Sequence, residues 1–492
     1  MSLRITTLKL FKLIKTLKKE EKRYFKLFTK NNRYKQGKYL EIFEVLNKQD
    51  NLDLDRYKKQ LQHIKQLSSL QSYLYEQILQ SLQTQYTSSN IERQIMDGLI
   101  RIELLFERHL MEEANALVSK IEKLATDYDK PLFLPLIYMW WFKIENSFLR
   151  YKDTSSKQFG EYKDKARKIM AVLTDYIQYY TAVSEGVFLK QYESSRTLLP
   201  ALEQLEQAID SYVPQHPESI PVKIIYLQLK AFFASVKYNY SDAYSYWSQL
   251  DQFLATMSPQ LLEHYQYLYY DVIHSCAYNG SFVAPKTEIP SLLQKLATIP
   301  NSNSATQFIV VKHKLMLKMG QYQNALDYVN QATLDFSYLP LNYKFTFHYN
   351  LGVNYFIIRQ YDEALNAFDV ILEEKSTQVP HIRVAAFILK IITFYEKDEY
   401  LVLPYLLSTI QRQLKSAGIL FQFEQLFLKF IKKIIRHPKS DRAALFIKFK
   451  EQYLEFIDQI EHSEQKEFLV FFNYQGWIDS HITNQKFANP FT

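Results

Sequence analysis

Cysteine and glycine are the residues this chain does almost without. Cys276 is the only cysteine, so no intrachain disulfide forms and a reducing compartment is expected. Nine glycines and 15 prolines in 492 residues are too few for the many tight turns of an all-β fold. No P-loop, GxGxxG or GxSxG stretch is present, nor any CxxC or HExxH spacing, which removes the common phosphate-binding, nucleophile-elbow and zinc signatures. The eleven histidines include no i,i+4 pair. His274 and Cys276 are two apart on one helical stretch, so their side chains diverge and do not make a nucleophile pair. Asp53 and Asp55 lack the rest of a calcium loop and read as a helix start near Arg56. No catalytic residue, metal site or cofactor is therefore expected. Long apolar runs are also missing. PLFLPLIYMWWFKIENSFL is broken by Lys143 and Glu145, short of the roughly 18 apolar residues of a membrane span. The N-terminus has neither an unbroken apolar core nor a small-residue cleavage site. A soluble, cytoplasmic protein is the expectation.

What the chain has is hydrophobic surface and rings: 47% hydrophobic residues, with 38 Tyr and 34 Phe. So many rings mark either a sticky surface or fixed packing positions in helical repeats. Self-similarity runs from about 303 to 415. The clearest unit is HYNLGVNYFIIRQYDEALNAFDVILEE. Leu351, Gly352 and Tyr355 share one face of a first helix, Tyr361 follows a tight turn, and Ala364 and Phe368 share a face of a second. Gly352 and Ala364 are small where two antiparallel helices approach, and Tyr355, Tyr361 and Phe368 fill the space around them. Tyr322, Tyr361 and Tyr400 keep a common phase of 39 residues.

This small–aromatic–aromatic–Ala–aromatic order resembles the tetratricopeptide repeat, whose period is 34. Looser helix pairs are read in GLIRIELLFERHLMEEANALVSKIEKL, in YLQLKAFFASVKYNYSDAYSYWSQL and in EHYQYLYYDVIHSCAYNG with PSLLQKLA. A long helix is expected near 157–191, a closing pair from 418 to 460, a final helix near 467–482, and a break at 280–287. The expected fold is all-α, an α-α superhelix of antiparallel pairs. Its parts are a basic helical module at 1–89, degenerate repeats at 90–302, the clearest repeats at 303–415 and capping helices at 416–492. LIKTLKKEEKRYFKLF, SYLYEQILQSLQ and FFNYQGWIDSHI also resemble segments of a Bacteroidota group of tetratricopeptide proteins. That resemblance implies a cytoplasmic solenoid and carries no activity with it.

Residues 1–40 hold 13 Lys/Arg and two acidic residues, a local charge of +11 against +8 for the whole chain. The candidate basic patch is Lys15, Lys18, Lys19, Lys22, Arg23 and Lys26. It reads as a solvated face of a helical cap, as a nucleic-acid or ribosome contact, or as a contact for an acidic protein or membrane surface.

In tetratricopeptide proteins the first helix of each pair lines the concave face. By phase that places Val310, Lys314 and Leu317, then Tyr349, Val353 and Phe356, then Ile388, Ile392 and Tyr395 in an apolar groove suited to a helix or extended peptide, unless they pack between the helices. Some family members grip a peptide carboxylate there, but Tyr349 and Val353 stand where a cation and an amide would be needed. The expected function is a non-catalytic scaffold or adaptor holding a protein or peptide. The alternative is a nucleic-acid- or ribosome-associated factor that uses the basic N-terminus.

Overall fold

The computed structural model describes residues 2–30, 36–49, 52–86, 90–148, 156–192, 195–237, 239–300, 305–337, 339, 341–374, 380–417, 420, 422–459 and 471–491. Among these the regular structure is helical throughout, with no strand. The chain divides into two compact units, 1–173 and 174–492. The division falls within the stretch expected to hold the degenerate repeats.

The first unit opens with α1 (Ser2–Thr16), α2 (Lys19–Lys30), α3 (Gln36–Asn47) and α4 (Leu54–Gln60). The first three pack on α5 (Leu67–Tyr86). Leu10, Ile14, Phe25, Phe43, Tyr57, Leu74 and Ile78 form their core. Asp53 caps α4, its carboxylate accepting from the backbone N–H groups of Asp55 and Arg56 at 3.1 and 3.0 Å, so the helix starts at Leu54. Then α6 (Ile91–Glu107), α7 (Met111–Asp127) and α8 (Leu134–Phe148) stack in order. Helix α9 (Ser156–Tyr192) begins in this unit and continues into the second.

The second unit adds α10 (Ser195–Asp210), α11 (Ile220–Val236), α12 (Tyr240–Ala255), α13 (Pro259–His264), α14 (Gln266–Val283) and α15 (Ile289–Ala297). The paired helices expected from sequence follow: α16 (Thr306–Lys318) with α17 (Tyr322–Asn330), α18 (Leu341–Ile357) with α19 (Tyr361–Leu372), and α20 (Pro380–Glu396) with α21 (Leu403–Ala417). The chain continues with α22 (Gln422–Ile434), α23 (Arg442–Gln459) and α24 (Tyr474–Thr483). Each of α14, α16 and α18 also touches the helix two further on, so α14, α16, α18 and α20 form one layer. Two expectations change. The break at 280–287 begins later, because α14 runs through Gly280 to Val283; that glycine admits the side chains of Tyr244 and Leu292 instead of ending the helix. The last helix begins at Tyr474, and 467–470 lie outside the described residues.

The 39-residue phase is a property of the backbone. Gly320, Arg359 and Asp398 all adopt left-handed conformations, with φ of 76°, 65° and 60°. Each is followed by the same reach-back bond. Gln321 N–H donates to Met316 O (3.0 Å), Gln360 N–H to Tyr355 O (2.9 Å) and Glu399 N–H to Phe394 O (3.0 Å). This is the helix-ending turn in which a positive-φ residue lets the next N–H satisfy a terminal carbonyl. His109, with φ 61°, closes α6 in the same way through Leu110 N–H to Leu105 O.

Three glycine-to-alanine substitutions separate the forces at work. Gly160 has nothing near its missing Cβ, so Gly160→Ala raises stability by about 0.5–1 kcal/mol through helix propensity. Gly320→Ala costs about 1 kcal/mol because alanine disfavours positive φ. Gly352→Ala drives a methyl into the Phe368 ring and costs about 1–3 kcal/mol. Denaturant melts of the three variants check the order, and an unchanged midpoint for Gly352→Ala would remove the close approach of α18 and α19.

Candidate functional site: a helix face covered by residues 471–491

Consecutive first helices present a continuous face made by α14, α16, α18 and α20. All nine residues expected to line an open groove are buried: Val310, Lys314 and Leu317 on α16, Tyr349, Val353 and Phe356 on α18, and Ile388, Ile392 and Tyr395 on α20. Val310 packs with Leu326, Val329 and Phe347. Leu317, Tyr349, Val353, Phe356, Ile388, Ile392 and Tyr395 belong to the main core together with Phe471, Phe472, Tyr474, Trp477 and Phe491. The expectation of an open groove is corrected accordingly. The chain's own segment 471–491 lies over part of that face, against Tyr349, Phe356, Tyr395 and the recess of Lys314.

The segment is anchored by rings and by main-chain bonds. Phe471 meets Tyr349 edge-on at 5.7 Å and Phe282 at 6.1 Å. The Tyr349 hydroxyl donates to the Phe471 carbonyl at 3.1 Å. Phe472 and Phe487 both contact Phe356. Trp477 sits against Tyr395, Phe427 and Phe446. At the rim, Glu396 Oε1 accepts from Trp477 Nε1 at 2.7 Å and lies 2.7 Å from His481 Nε2, while the His481 ring stacks on Phe446 at 4.3 Å. The segment also closes on itself, with Asn473 N–H donating to Pro490 O at 2.8 Å. Tyr322, one of the phased tyrosines, donates to Ala488 O at 2.7 Å.

Beneath this cover the layer buries several ionisable groups. Lys314 Nζ lies over the face of Phe282, and burial first, then repulsion from Lys318, holds its pKa well below that of an ordinary lysine. Lys318 donates to the carbonyls of Phe282 and Ala284 at 3.2 and 3.1 Å, and its pKa is lowered to about 8 by burial and then by Lys286. Lys314, Thr346, Tyr349, Asn350, Phe471 and Phe491 line one enclosed recess, and Asn350 Nδ2 has no hydrogen-bond partner among the described residues. Burial lowers His313 to about 3 and His274, His348 and His381 to about 4.

Helix phase identifies the buried face but not its cover. The signal for the cover was the ring density of FFNYQGWIDSHI, which reads as a closing motif and says nothing of where it docks. Gly352 faces Phe368 across the hairpin, with Ala364 buried beside them. Leu351, Tyr355 and Tyr361 are partly buried against the adjoining clusters.

In the N-terminal patch, Lys15 donates to Asn47 O at 3.1 Å and Lys26 pairs with Glu44 at 2.5 Å. Lys18 acts on Glu21. Lys18, Lys19 and Arg23 are exposed and Lys22 half-buried. Cys276 is buried, 3.4 Å from the Ser248 hydroxyl, and burial pushes its thiol up to about 11. His274 points instead to Phe308 and Tyr343. Among the described residues no three His, Cys, Asp or Glu side chains converge as metal ligands, and no helix is long and apolar enough to cross a membrane. Compared with family models, curated proteins and solved structures, the chain finds no match.

These four histidines, His274 and His313 buried and His348 and His381 partly buried, give the second unit an acid sensitivity. Unfolding lets each ring take a proton near 6.5 that the folded chain refuses until about 3 or 4, so stability falls as pH drops from 6.5 towards 4. Each histidine adds a slope of up to about 1.4 kcal/mol per pH unit. Urea midpoints measured between pH 7 and 4.5 show a steep decline, and His313→Leu lowers its slope by about one proton. A flat profile would contradict the burial of these rings.

Proposed function

We propose that this protein is a non-catalytic scaffold or adaptor whose tetratricopeptide-like repeats hold a protein or peptide on the face of α16, α18 and α20. The observation that carries the reading is the seating of 471–491. The repeats already hold an aromatic-rich peptide segment there, by ring anchors and by side-chain bonds to its carbonyls. Ring anchors and side-chain bonds to main-chain carbonyls are means by which a groove holds a peptide. The segment is the resident occupant, and a partner on the same face replaces part of it.

A second reading draws on the N-terminal unit. Lys19, Lys22 and Arg23 stand within the first two turns of α2, and their side chains make no ion pair among the described residues. Clustered cations of this kind bind phosphate backbones with strong salt dependence.

One affinity purification from the source cells separates the two. The scaffold reading expects a stoichiometric protein partner that is lost in the combined variant Tyr349→Ala, Phe356→Ala, Tyr395→Ala and gained or unchanged in Trp477→Ala, which loosens the resident segment. Undiminished capture by the combined variant counts against the face. The alternative expects salt-sensitive nucleic acid in the eluate, lost in Lys19→Glu, Lys22→Glu, Arg23→Glu. Absence of RNA and DNA binding at low salt removes it.

A further inference from the structure

Away from the covered face, α9, α10, α11 and the loop between the last two enclose a cleft of about 290 Å³. Its floor is Tyr179, Ile209 and Val222, all buried. Its walls are Tyr212, Tyr226, Pro214 and Pro217, with the exposed carboxylate of Asp210 at the edge. Tyr179 meets Tyr212 at 5.8 Å with the ring planes at 89°, and Tyr226 at 5.4 Å with the planes at 57°. Three phenol rings of differing orientation thus border one small open volume.

The loop is held in place from below. The buried carboxylate of Asp175 accepts the Tyr212 hydroxyl at 2.5 Å and the backbone N–H groups of Gln215 and His216 at 3.2 and 2.7 Å. One side chain therefore fixes both the Tyr212 ring and the turn carrying Pro214 and Pro217. A ligand meets a wall already formed and spends little free energy on ordering it.

The electrostatics favour a cation. Ring faces present negative potential. Burial first, then Tyr226, Asp175 and Asp210, raise the Tyr179 hydroxyl pKa, so both carboxylates act on the cleft floor. Lys230 bridges Glu206 and Asp210 at 3.1 Å to each, and Lys237 also pairs with Glu206. Asp210 is the charged residue among those lining the cleft, and Lys230 pairs with it.

From this arrangement we infer that the cleft of Tyr179, Tyr212, Tyr226 and Asp210 binds an alkylated ammonium group. A primary ammonium is strongly hydrated and loses that hydration on entering an aromatic recess. A methylated one loses less and fits its alkyl surface to the rings while keeping its charge. A purely apolar group gains nothing from Asp210. A proline-rich peptide needs an extended groove, whereas this cleft is one bounded depression.

The test is calorimetric titration of the full chain with tetramethylammonium, choline and a trimethyllysine peptide. Controls are the neutral isostere 3,3-dimethylbutan-1-ol and the unmethylated peptide. The alkylammonium ligands are expected to bind at least about tenfold more tightly than the isostere. Tyr226→Phe retains binding. Tyr226→Leu keeps apolar bulk without the π face and weakens binding about tenfold. Tighter binding of choline assigns the site to a free small molecule, tighter binding of the peptide to a modified side chain, and either upholds the proposal. Equal binding of the isostere, or no heat from any alkylammonium at tens of millimolar with Tyr226→Phe folded as wild type, overturns it.

Discussion

Close approach of paired helices, with a large side chain of one set over a glycine of the other, underlies the layers seen in both units. Ile121 lies over Gly98 between α6 and α7, Phe232 over Gly186 between α9 and α11, and Phe368 over Gly352 between α18 and α19. Tyr244 and Leu292 together fill the space at Gly280. Contacts of this kind bring helix axes near enough for side chains to interlock to crystal-like density. Because each hairpin is tight, the first helices of successive pairs lie side by side in one layer, and that layer offers a broad apolar face.

The same layer contains groups that water would otherwise hold charged. Burial lowers the pKa of Lys314, Lys318 and the four histidines, and Lys318 also reaches two carbonyl oxygens. Desolvation disfavours the protonated form at these sites. Phe471 and Phe491 line the recess that holds Lys314 and help to keep water from it. The cover thus has an electrostatic role as well as an apolar one.

Helical periodicity made the pairs legible, since Gly352, Ala364 and Phe368 carry their packing role in their spacing. It also assigned α11–α12 and α6–α7, where the repeat is degenerate, and the long α9. It mistook Gly280 for a break, because a glycine admitting a neighbour's ring and a glycine ending a helix are the same letter. The groove was misjudged for a related reason. Phase tells which residues of α16, α18 and α20 face one way, but not that a segment 75 to 165 residues downstream in the sequence lies on them. The tyrosine cleft was missed because Tyr179, Tyr212 and Tyr226 come from two helices and a loop with no common period, and a hydrogen bond from Tyr212 to Asp175 places the loop ring.

The seating of 471–491 has a consequence for the order in which the protein is made. Helix α20 ends at Glu396, so the apolar face of α16–α20 is synthesised some 75 residues before Phe471 arrives to shield it. At about 5–20 residues per second, that leaves the nascent chain with an exposed row of rings for roughly 4–15 s. During that interval the face is available to whatever waits at the ribosome, and a chaperone or a neighbouring nascent chain meets it before its own segment does.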